Sequence, residues 1–151
     1  MASSLLLALA LLLGTAAAFD ILTRRIPNSL AAAGLAVGLA GHAWTGGGVG
    51  LAWSLAGVAA ALPLLLLYAA RLFGAGDVKL LMAVGALAGP IFLPWTLLVA
   101  VFVGGVIALV WIISRSLVTR SIASQKSRMP FAPAIALGAA FAFVHLHWKI
   151  L

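Results

Sequence analysis

Apolar and polar positions fall in long blocks along this chain. Apolar blocks lie near 3–19, 28–45, 50–70, 78–92, 95–114 and 131–148, parted by short stretches of Gly, Pro, Ser and basic residues. Several approach the roughly 20 residues that a membrane-crossing helix needs. The breaks have their own chemistry. "RRIPN" ends one gap and puts Pro27 at the mouth of the next helix, where its missing N–H costs nothing. "TGGGVG" (45–50) predicts a turn, and "GPIFLP" (89–94) a bend with two prolines. As one helix, 78–114 would be about 55 Å long, against a bilayer core of about 30 Å, so a hairpin is expected there.

Composition turns this pattern into a fold class. Hydrophobic residues make up 66% of the 151 residues and charged ones 7%, with a mean hydropathy of +1.28. Soluble domains carry about 25% charged residues. The expectation is an all-α integral membrane protein, one membrane-embedded domain over 1–151 with about six transmembrane helices. The net charge of +7 does not point to nucleic acid, because the basic residues sit in gaps between apolar blocks, where they meet an anionic membrane surface. There is no cysteine, so disulfides, thiolate metal sites and a cysteine nucleophile are excluded.

Charge also orients the chain. Arg24 and Arg25 lie in the first gap, Arg71 and Lys79 flank the third, and Arg115, Arg120, Lys126 and Arg128 fill the fifth. The second and fourth gaps hold no Lys or Arg, and only Lys149 falls on the other side. The positive-inside rule makes the odd gaps cytoplasmic and both termini external. A cleaved signal peptide is disfavoured, because "MASSLLLALALLLGTAAAF" has no basic residue before its apolar run.

Asp20 and Asp77 are the only acidic residues. Each lies at the end of an apolar block, and this orientation puts both on the cytoplasmic side. One reading makes them solvated charges paired with Arg24 or Lys79. A proton-coupled transporter would use them as proton carriers. A structural membrane subunit would tolerate Asn at both positions. A fourth reading is catalytic: two carboxylates brought close share one proton. The ionised one activates a water and the protonated one donates to a carbonyl oxygen. That chemistry needs no metal or cofactor. Gly74 and Gly76 precede Asp77 and let a substrate main chain approach closely. "GAGD" lacks the Gly-Lys-Ser/Thr pattern of a phosphate loop.

"FDILTRRIPN" followed by "GAGDVKLL" resembles the two signatures of the type IV prepilin peptidases, which belong to the membrane-embedded GxGD aspartyl proteases. "RMPFAPAIALG" (128–138) resembles a third segment, the start of the family's last helix. The resemblance implies that Asp20 and Asp77 are the catalytic pair and that no cofactor or metal is used. It implies a prepilin or pseudopilin substrate, cut after a short basic leader and usually after a glycine, at the cytoplasmic face of a bacterial inner membrane. The pilus assembly machinery is an implied partner. Longer family members carry a cysteine-paired N-terminal region with N-methyltransferase activity. This chain, which holds no cysteine, resembles the short form of Tad/Flp-type pili, so no such region is expected. Presenilin-like and signal-peptide-peptidase-like enzymes share "GAGD" but are larger.

Other residues are weighed beside these. Lys79 is expected to anchor its helix at the headgroups, with a substrate contact as the alternative, and Arg24 and Arg25 are read the same way. Asn28 opens the second helix or touches substrate. Pro130 and Pro133 shape the start of the last helix. His42, His145 and His147 are expected on the outer side, with a His145–His147 metal pair disfavoured because i and i+2 diverge on a helix. Trp44, Trp95 and Trp148 read as interfacial residues. "GLAVG" (34–38) and "GALAG" (85–89) are small-xxx-small patterns for close helix packing, expected to help join the first and fourth spans.

Overall fold

A largely apolar stretch of 42 residues, Asn28–Ala69, cannot cross a bilayer as one straight rod, since it would be about 63 Å long. The computed structural model resolves how it folds. It describes residues 3–71, 73–118 and 132–148, and every regular element among them is helical. α1 is Ser3–Thr23, α2 Asn28–Ala61, α3 Leu64–Ala69, α4 Ala75–Ala88, α5 Phe92–Val118 and α6 Ala132–Trp148. Ser3–Thr23 and Asn28–Ala69 are each long and apolar enough to cross a membrane. Helices suit that setting because their backbone groups bond within the segment.

α2 is broken at Gly47, whose φ of 56° and ψ of −139° only glycine adopts readily. The chain reverses there. A Cβ on Gly50 would strike the His42 carbonyl. Gly38 and Ser54, which would be about 24 Å apart in a straight helix, both touch Ala86. The turn expected at 45–50 therefore divides α2 into antiparallel limbs, 28–46 and 48–61. Pro63 interrupts the second limb. It offers no N–H, and 3₁₀-type bonds take over, Leu62 N–H to the Ala59 carbonyl and Leu65 N–H to the Leu62 carbonyl. The expected 50–70 block is thus a broken helix rather than a continuous one.

α4 is central. Val78, Leu80, Leu81 and Ala83–Ala88 are all buried, which explains a helix apolar on every side. Both limbs of α2 pack on it through small residues. A Cβ on Gly34 would lie 3.2 Å from Ala83 Cβ, and one on Gly38 2.7 Å from the Ala86 carbonyl carbon. Gly57 meets the Gly85 backbone directly. The two small-residue patterns therefore seat α2 on α4, rather than acting between α1 and α4. Ser54 Oγ donates to the Ala86 carbonyl at 2.7 Å. His42 Nε2 lies 3.0 Å from the Leu87 carbonyl, an acceptor left unsatisfied at the helix end. Gly89, at φ 87°, ends α4 against the Trp53 indole. That break replaces any continuous 78–114 helix.

α5 packs on α6, where Gly138 meets the Thr96 carbonyl and Ala100. α1 lies against α2, α4 and α6 through Leu5, Leu9, Leu12, Leu13, Ala16 and Asp20. Trp95 is half-buried against His145, ring centroids 4.6 Å apart, whereas Trp44 is fully exposed. Large apolar side chains such as Leu7, Leu11, Leu66 and Phe102 face outward, as a membrane protein requires. Arg120, Lys126, Arg128, Pro130 and Lys149 lie outside the described residues, as do the side chains of Arg115, His147 and Trp148.

Candidate active site

The buried residues of α1 recur every three or four positions, and Asp20 is the last of them. Helical periodicity alone therefore turns its carboxyl inward. Asp20 is 7% exposed, and Oδ2 accepts a 2.8 Å hydrogen bond from the backbone N–H of Ala132. Ala132 is the first residue of α6, so Asp20 satisfies a donor that no helical carbonyl can reach. Pro133 follows with no N–H of its own.

α1 stops one turn later. Arg24 takes a left-handed φ of 54°, and its N–H bonds to the Asp20 carbonyl at 2.9 Å. This is the αL helix terminus usually made with glycine. Thr23 Oγ1 lies 2.7 Å from the Phe19 carbonyl and 3.1 Å from that of Arg25. Pro27, at φ −60°, then leads into α2. The link from Asp20 to Asn28 is short and stiff.

Asp77 reaches the same end of the bundle from α4. "GAG" reads as a breaker, yet the helix begins at Ala75, three residues ahead of the expected 78. Gly74 is the N-cap and Asp77 the third helical residue. From there the carboxyl reaches back and accepts the Gly74 N–H, half of a capping box. Gly74 has an ordinary extended φ of −77°, so its backbone does not demand glycine. Space does: a Cβ there would lie 2.8 Å from Asp77 Oδ2. Gly76 is helical, and its Cβ site is 3.4 Å from Ile26 Cβ. Asp77 precedes the apolar stretch 78–92. Burial, then the negative charge of Asp20, push its carboxyl up from 3.8 to about 6, and together they outweigh the Gly74 N–H bond.

The structure thus brings Asp20, Asp77, Gly74 and Gly76 to one end of the bundle. Lys79 and Asn28 are there as well, joined to each other: Lys79 Nζ donates to Asn28 Oδ1 at 2.9 Å. Asn28 is the first residue of α2, where Pro27 holds the cap position, so its side chain is free for Lys79. His42 and His145 sit elsewhere, on Leu87 and Trp95. The residue that sequence reasoning missed is Ala132. Its part is played by a backbone N–H, and the prolines of 128–138 were the one signal near it. A buried carboxylate close to a second, proton-holding carboxyl is the arrangement that acid–base hydrolysis uses.

Among curated proteins and among solved structures, none matches this chain. A family model does match, over residues 7–109, a stretch that holds both aspartates, both glycines, Asn28 and Lys79. On that match, covering more than half its length, the chain belongs to the type IV leader peptidase family.

Proposed function

We propose that this leader peptidase family member is a membrane-embedded aspartyl endopeptidase. It removes the short basic leader of prepilins or pseudopilins at the cytoplasmic face of a bacterial inner membrane, within a six-span, N-out/C-out frame. Asp20 and Asp77 carry the reaction. The observation behind this reading is that the chain's only two acids sit at one end of the bundle, one buried and the other holding its proton up to about pH 6 through its own burial and then the first one's charge.

Asp20 is the general base and Asp77 the general acid. A water placed between them attacks the carbonyl carbon of the scissile peptide. Its proton passes to Asp20 as the Asp77 proton moves to the carbonyl oxygen, giving a neutral gem-diol. When the C–N bond breaks, the nitrogen takes the proton from Asp20 and Asp77 recovers its own from a hydroxyl. The products are the leader's carboxylic acid and the pilin's free amine. No redox partner or metal is consumed. Gly74, exposed just ahead of the acid, gives the extended substrate room, while Gly76 lets Ile26 pack against the same turn.

Purified protein in detergent, given a glycine-ending leader joined to a pilin helix, releases the leader as a single product by mass. Asp20→Asn and Asp77→Asn, present at normal levels, release none. A wild-type protein that cuts no such substrate rejects the reading and favours proton transport by the same pair.

A further inference from the structure

The hydrogen bond between Lys79 and Asn28 joins residues 51 apart in the chain, one from each stretch that carries an aspartate. An exposed pair of this kind adds little to stability, so its position carries the meaning. The first limb of α2 runs parallel to α4 along one seam. Asn28 meets Lys79, Gly34 meets Ala83, Gly38 meets Ala86, and His42 meets Leu87. The middle of the seam is small and apolar, and a polar side chain closes each end. Just beyond Asn28, Ile26 packs on Gly76. Ile26 and Asn28 therefore clasp the first turn of α4 on either side of Asp77 in sequence.

The clasp is tied firmly to both carboxylates. From Asn28 the path to Asp20 runs through Pro27 and the left-handed Arg24 terminus, with Thr23 bridging Phe19 and Arg25. From Lys79 the path to Asp77 is two residues of one helix. At i and i+2 the two side chains point apart, and Lys79 gives its ammonium to Asn28.

Resting on the protease reading, we propose that Asn28 and Lys79 are positioning residues whose hydrogen bond sets the separation of Asp20 and Asp77. They act through the aspartates rather than on the substrate. A displacement of about 1 Å between reacting groups lowers a rate by up to about a hundredfold. A lost clasp therefore lowers kcat and leaves KM in place, whereas a lost substrate contact raises KM.

The test is a double-mutant cycle on leader cleavage by the full-length protein. Lys79→Met keeps the stem and removes the donor; Asn28→Leu removes the acceptor. Each is expected to lower kcat ten- to a hundredfold at unchanged KM. The double variant is expected to be no worse than either single one, and Lys79→Arg to return kcat to within a few-fold of wild type. Membrane level is measured for every variant, and Asn28→Ala, a small change at an exposed position, replaces any that fails to accumulate. A raised KM at normal kcat makes the pair a substrate contact and overturns the inference. So do additive losses, or no loss at all. Wild-type cleavage is the reference throughout, so a wild type that cuts nothing rejects the protease reading, while normal cutting by the variants rejects the clasp alone.

Discussion

Asp20 Oδ2 and the backbone N–H of Ala132 lie 2.8 Å apart, joining the end of α1 to the start of α6 across 112 residues of chain. Asp20 thus has a structural duty beside its proposed chemical one, and substitutions separate the two. Asparagine keeps an oxygen for the Ala132 N–H and loses the charge. Asp20→Asn is expected to accumulate and melt like wild type with cleavage reduced at least about a thousandfold. Alanine leaves a buried N–H without a partner, at about 1–3 kcal/mol, so Asp20→Ala is expected to be inactive and also less stable. Thermal melts of the two variants in one detergent distinguish them.

Gly74 gives a second contrast. The Cβ of Gly74→Ala meets Asp77 Oδ2 at 2.8 Å, and the carboxyl has to move. Cleavage is expected to fall about tenfold or more, with no loss of fold because the extended backbone accepts alanine. At Gly76 the added methyl meets Ile26 at ordinary contact distance, and alanine is the better helix former by up to about 1 kcal/mol. Gly76→Ala is expected to melt at or slightly above wild type. A kcat measured for Gly74→Ala, beside melts of both variants, checks the pair.

The raised Asp77 carboxyl makes both rate and stability fall as pH rises. The acid must hold its proton, so kcat/KM is expected to fall as pH rises through about 6, a macroscopic value belonging to the pair. For stability, the folded chain holds this proton more tightly than the unfolded one, which titrates near 3.8. The stability that Asp77 contributes is complete below pH 3.8 and is lost as pH rises through about 6. Asn cannot ionise. Asp77→Asn is therefore expected to match wild type near pH 3.5 and to exceed it by roughly 1–3 kcal/mol at pH 7.5. Paired melts at those two pH values read the difference.

Close backbone crossing predicts where glycine is indispensable. A Cβ on Gly57 or Gly85 would run into the opposite backbone, whereas at Gly14 it meets nothing within 4 Å. Gly57→Ala and Gly85→Ala are expected to lower the membrane level sharply, and Gly14→Ala to leave it unchanged, by immunoblot of membrane fractions.

These contrasts mark what the sequence could disclose. Two aspartates in a chain otherwise free of acids, with "GAGD" around one, single out the candidate pair from sequence. "TGGGVG" marked the reversal that Gly47 makes. The direction of Asp20 was hidden, because α1 is apolar on all sides and its buried stripe has no polar face to outline it. The start of α4 at Ala75 was hidden because Gly-Ala-Gly reads as a loop, although Asp77 at the third helical position caps it. The break at Pro63 is masked by its setting, since Leu62 and Leu64 on either side continue the apolar block. The Ala132 and Lys79–Asn28 contacts bridge residues far apart in the chain, and no local pattern encodes such pairing.

The most direct test is leader release by equal membrane amounts of wild type, Asp20→Asn and Asp77→Asn, with the product identified by mass. Cleavage by wild type after the leader, and none by either variant, is the result predicted for a two-carboxylate peptidase. Normal cleavage by either variant would contradict it, since that carboxylate would then have no part in the chemistry.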